Sequence, residues 1–231
     1  MKMLVSVRSV AEARLAAADA DFIDLKEPRD GALGGLAVET IAAIVRALRA
    51  DASPLPVSAT IGDLGMGEIE RIAAAVRAVA ACGVDYVKVG IEAAPGAAEL
   101  LAMLARCGAA IVPVFIADRG VDPTLLRQAC GTAAFPAVMA DTADKRAGSL
   151  FDACPEAELR RFVGEVRRAG KLVGLAGALR LADLPRLQAL APDFAGFRSA
   201  VCDGDRAGAL SAERLRALAA ALRDPIALAL P

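Results

Sequence analysis

Lysine is scarce in this chain, and several of the positions that keep it stand beside carboxylates. Of 27 basic residues in the 231-residue sequence, five are lysines: Lys2, Lys26, Lys88, Lys145 and Lys171. Arginine supplies the generic positive charge, so a remaining lysine is a candidate for what arginine cannot do. An amine deprotonated by burial can attack a carbonyl, whereas a guanidinium stays protonated. Lys26 closes the apolar stretch Phe22-Ile23-Asp24-Leu25-Lys26. The two-residue period of a strand puts Asp24 and Lys26 on one side. Lys88 lies between Val87 and Val89, whose side chains would point the other way. Asp141-Thr142 ends another apolar run with Lys145 just beyond, and Ser58, Thr60 and Asp63 mark a fourth. Cations packed together in a dry site lower the pKa of one of them and free a nucleophilic amine, while the others can hold phosphate groups. The structural alternative for Asp24 and Lys26 is an ion pair that closes a packed layer. Lys2 and Lys171 carry no functional signal.

Other chemistries are excluded or weak. The chain has no histidine, which removes Ser-His-Asp and Cys-His catalysis and every histidine-based metal site; no metal and no cofactor are expected. The five cysteines show no CxxC spacing and read as reduced core thiols, Cys202 included. Asp203-Gly204-Asp205 lacks the spacing of a calcium loop and reads as a solvated turn. The Gly-rich stretch 31–36 reads as a mobile loop.

These groups need a scaffold, and the chain alternates short strand-like runs with amphipathic helical runs from end to end. The strand-like runs are 3–7, 22–26, 55–62, 86–90, 109–118, 137–142, 171–177 and 194–202, each followed by a helical pattern. Asp122 and Pro123 open one of these helices as N-cap and first residue. Strict alternation argues for a parallel sheet with helices outside it, and eight units in 231 residues is the count of a single-domain α/β (β/α)8 TIM barrel spanning 1–231. A doubly wound open sheet is the runner-up, but no GxGxxG follows the first strand. In a barrel, chemistry gathers at the C-terminal strand ends. Lys26, Lys88 and Lys145 all fall at or just past the ends of even-numbered strands. Loops after the seventh and eighth strands often bind phosphate, which singles out Gly177, Arg198 and Ser199.

A net charge of −1 gives no basic field for nucleic acid or anionic membrane. No apolar run reaches the roughly 18 residues of a membrane span. The N-terminus turns polar too early for a signal peptide, so a cytoplasmic protein acting on a small phosphorylated molecule is expected. Helical faces rich in Ala and Leu suit contact between copies as well as barrel packing, so a homo-oligomer is compatible with them.

The segments DLKEPRDGALGG, PVSATIGD, DYVKVG, ADTADKRAGSLFD, GLAGAL and GFRSAVCDGDR resemble, in order and spacing, the (5-formylfuran-3-yl)methyl phosphate synthases, also called 4-(hydroxymethyl)-2-furaldehyde phosphate synthases. The resemblance implies a (β/α)8 lyase of methanofuran biosynthesis that joins two molecules of glyceraldehyde 3-phosphate, releasing phosphate and water. It further implies that Lys26 forms the Schiff base, that Lys88 accepts a proton, and that Asp141 and Lys145 are active-site groups. Asp141 is then a proton shuttle, with Lys145 and Arg198 holding phosphate. The pattern departs from the family at Ser199, where glycine is expected, and at Asp203, an added negative charge near a phosphate. The rival readings are a generic Schiff-base aldolase of triose or sugar phosphates and a non-catalytic barrel that binds a phosphorylated metabolite.

Overall fold

The alternation of apolar runs resolves into a closed barrel. In the computed structural model, which describes residues 1–31 and 33–223, the strands are β1 (Lys2–Val7), β2 (Phe22–Leu25), β3 (Val57–Thr60), β4 (Tyr86–Ile91), β5 (Ile111–Ile116), β6 (Ala137–Asp141), β7 (Leu172–Leu175) and β8 (Phe194–Phe197). All are parallel and pair in sequence order. β8 returns to β1 with Lys2 opposite Phe194 and Val5 opposite Phe197.

Helices α1 (Val10–Ala16), α2 (Val38–Ala50), α3 (Ile69–Ala80), α4 (Ala97–Leu104), α5 (Pro123–Gly131), α6 (Leu150–Ala153), α7 (Glu156–Arg168), α8 (Leu184–Leu190) and α9 (Ala212–Arg223) surround the sheet. The sequence reading expects one helix per strand. The extra element is α6, too short for its periodicity to register and fixed by its cap: Ser149 accepts from the Phe151 N–H, and Asp152 accepts from the Ser149 N–H. Asp122 caps α5 as expected, accepting from Thr124 and Leu125 at 2.7 and 3.0 Å. Among the described residues, no helix is long and apolar enough to cross a membrane.

Two apolar layers follow from the period of two. Val5, Ile23, Leu25, Val57, Val87, Val89, Val138 and Val173 point outward and pack under the helices. The inward set is split. Leu4, Val112, Val114, Ile116, Ala137, Met139, Ala176 and Phe194 form an apolar barrel interior. Other inward positions are polar or charged: Ser6, Asp24, Ser58, Thr60 and Lys88 on β1 to β4, Asp141 at the end of β6 and Arg198 just past β8. A buried row of charge therefore replaces hydrophobic packing at one end of the barrel.

Candidate active site

Register brings the polar positions together. Ser6 lies beside Asp24, and Asp24 beside Ser58, across three neighbouring strands; Lys88 lies beside Thr60 on the next pair. The Asp24 carboxylate is 1 % exposed and accepts from three donors: Ser58 Oγ at 2.6 Å, Lys88 Nζ at 3.0 Å and Ser6 Oγ at 3.1 Å. Burial alone would push this carboxyl up. The charges of Lys88 and Lys26 and the Ser58 hydroxyl more than offset it, so Asp24 stays below its ordinary value and ionised.

The second carboxylate is Asp141, 2 % exposed at the end of β6. It pairs with Lys26 at 3.6 Å and, on its other oxygen, with Lys145, which also donates to Thr142 Oγ1 at 3.3 Å. The backbone N–H of Thr142 donates to the same carboxylate at 2.8 Å. Burial opposes ionisation, but Lys145 and Lys26 prevail, and Asp141 is held down at about 2. Lys145 moves from 10.5 to about 8. Burial is the main cause, and Lys26 and Arg206 add like charge; together they outweigh the attraction of Asp141. Of the expected residues, Lys26, Lys88, Lys145, Asp24 and Asp141 thus line one cavity with Gly177, Arg198 and Ser199.

The partners differ from the structural alternative in one respect. Asp24 forms its ion pair with Lys88, from β4, while Lys26 turns to Asp141. Strand period alone shows only neighbours on the same strand; in a closed barrel the shorter reach is lateral.

Arg198 is buried, and its guanidinium is fully engaged. Nη1 donates to Glu12 at 2.6 Å and to the Ser6 carbonyl at 3.1 Å. Nη2 donates to Glu12 at 3.1 Å and to the Gly208 carbonyl at 2.7 Å, and Nε to the Arg206 carbonyl at 2.8 Å. That accounts for all five N–H donors of an arginine, leaving none for an anion in this arrangement.

Gly177 takes φ +123°, and a Cβ there would meet Thr142 Oγ1 at 2.9 Å, so both conformation and space require glycine. The N–H groups of Gly177, Ala178, Ser199 and Ala200 have no acceptor among the described residues. Asp203 is exposed and pairs with Arg214 at 3.5 Å. Ser6, Glu12 and Arg206 were not singled out from the sequence. Ser6 is signalled only as a polar inward position on β1, and Arg206 lies in a loop with no periodicity to read. A roomier cavity of about 370 Å³ lies outside the barrel between α5 and α7, but contains none of the lysine cluster.

The depressed Lys145 amine has a measurable consequence. Its folded value, about 8, lies below its ordinary 10.5, so between these values the unfolded chain binds more protons. Stability from this group must rise with pH across that window. Denaturant unfolding of the wild type and Lys145→Met should show the wild type gaining on the variant from pH 8 towards 10.5. A constant difference would mean that Lys145 titrates normally.

Comparison with known proteins follows the same lines. Residues 3–219 match the family model described as 4-HFC-P synthase. The chain is 35 % identical over 231 residues to the (5-formylfuran-3-yl)methyl phosphate synthase of Archaeoglobus fulgidus, covering 92 % of this chain and 95 % of that one. It is 32 % identical over 237 residues to the protein of the same name from Methanosarcina mazei, covering 95 % and 98 %. Among solved structures, a phosphoribosyl anthranilate isomerase from Thermus thermophilus superposes with TM-score 0.65 at 21 % identity, covering 96 % of this chain and 98 % of that one. That likeness concerns the barrel fold.

Proposed function

The chain belongs to the 4-HFC-P synthase family, and on that premise we propose that it condenses two molecules of glyceraldehyde 3-phosphate into (5-formylfuran-3-yl)methyl phosphate, releasing phosphate and water. The observation that carries the reading is the cluster of three buried lysines around two ionised carboxylates at the strand ends. Lys26 attacks the aldehyde carbon and, with loss of water, becomes an iminium. The iminium acidifies the adjacent carbon, and Lys88, acting in its deprotonated amine form, takes that proton while Asp24 balances the ammonium that results. The resulting enamine expels the phosphate of its own substrate. Bond formation to the second aldehyde, ring closure and dehydration follow, with Asp141 moving protons between Lys26 and Lys145. Aromatisation makes the sequence downhill.

The free N–H groups after β7 and β8 suit one phosphate, since backbone donors at such loops bind anions. The cavity between the lysines is about 30 Å³, room for a water molecule. The test is incubation with glyceraldehyde 3-phosphate as sole substrate. An ultraviolet-absorbing furan aldehyde should accumulate together with free phosphate. A non-aromatic aldol product would assign a generic aldolase instead, and binding without turnover a metabolite-binding barrel.

A further inference from the structure

The cations around the cavity are not equally occupied. Lys88 is spent on Asp24, and Lys26 and Lys145 share Asp141. Arg198 is neutralised by Glu12. The remaining one is Arg206, half-buried in the loop between β8 and α9 and lining the same cavity. Among the described residues its guanidinium makes one hydrogen bond, to the Gly31 carbonyl at 3.2 Å, and no carboxylate lies within ion-pair distance. Asp141, Asp63 and Asp205 attract it only from farther away. Setting aside the Arg198–Glu12 pair, four cations (Lys26, Lys88, Lys145 and Arg206) face two carboxylates (Asp24 and Asp141). The surplus is two positive charges, close to the charge of one phosphate at neutral pH.

The loop that carries Arg206 is fixed from behind. Arg198 donates to the Arg206 carbonyl at 2.8 Å and to the Gly208 carbonyl at 2.7 Å, while Glu12 of α1 and the Ser6 carbonyl of β1 hold Arg198 in place. The loop also closes on itself through the Asp203 N–H to Ala209 and the Gly208 N–H to Asp205. A buried strut thus presents a second arginine with most of its fork free.

We propose that Arg206 is an anion receptor for a phosphate group of the substrate, and that Arg198 is the positioning residue that holds Arg206 over the cavity. This rests on reading the site as one for phosphorylated aldehydes, and it moves the anion contact expected of Arg198 eight residues along the chain. Planar guanidinium donors match phosphate oxygens in a bidentate way that a lysine does not. A phosphate bound this way is held in ground and transition states alike, so its loss should appear chiefly in KM.

The experiment is calorimetric titration of the full-length protein with inorganic phosphate, comparing wild type, Arg206→Met and Arg206→Lys, with steady-state kinetics on glyceraldehyde 3-phosphate. Arg206→Met keeps the apolar stem and should melt with the wild type. It should weaken phosphate binding about tenfold to a hundredfold, the loss expected for hydrogen bonds to a charged group. KM should rise by a similar factor with a smaller change in kcat, and Arg206→Lys should fall between. Phosphate affinity in Arg206→Met within twofold of wild type, or no phosphate binding by the wild type, would overturn the assignment. Weakened phosphate binding in Arg206→Met, in a protein whose wild type forms no furan, would leave the anion receptor standing and remove the proposed reaction.

Discussion

Lys26→Arg should abolish furan synthesis, lowering kcat by roughly 10⁴-fold or more, the scale seen when a covalent nucleophile is removed. Arginine keeps the positive charge, so the buried pair with Asp141, 3.6 Å away in the wild type, persists and the fold is retained. What disappears is an amine that can be deprotonated and form an imine. Charge and packing therefore separate from chemistry in one substitution. Thermal unfolding close to wild type together with lost turnover is the expected pair of observations. Turnover within tenfold of wild type would show that Lys26 serves only as a counter-ion to Asp141.

The largest stability effect should come from Asp24→Asn. This carboxylate is 1 % exposed and gathers Lys88, Ser58 and Ser6 from three other strands. Removing its charge leaves the Lys88 ammonium, 3 % exposed, buried without a counter-ion. Breaking one side of such a pair costs about 3–5 kcal/mol. For a chain of this size that is a fall in Tm of about 6–20 °C. The double variant Asp24→Asn/Lys88→Met removes the orphaned charge and should recover most of that loss while remaining inactive. If Asp24→Asn alone melts with the wild type, the Asp24–Lys88 pair is not what holds this row of the barrel.

The barrel was legible because parallel strands covered by helices leave a plain alternation, and Val87-Lys88-Val89 shows it well: the valines pack under the helices and the lysine points inward. The lysine row was legible because lysine is rare here and recurs at strand ends. Which carboxylate meets which lysine was not, since Asp24 and Lys88 are 64 residues apart in sequence and meet only when β2, β3 and β4 lie side by side. Arg198 was harder still. It reads as an anion ligand from its place after β8, but its counter-ion is Glu12, 186 residues away, and a closed barrel brings the first helix against the last strand. The short helix α6 was set by a Ser-Asp cap and not by any apolar period.

Covalent trapping tests the central claim most directly. The wild type incubated with glyceraldehyde 3-phosphate and borohydride should gain an irreversible mass that peptide analysis places on Lys26, and Lys26→Arg should gain none. A stable adduct on Lys88 or Lys145 in the wild type, or turnover to the furan with no trappable adduct at Lys26, would contradict the account.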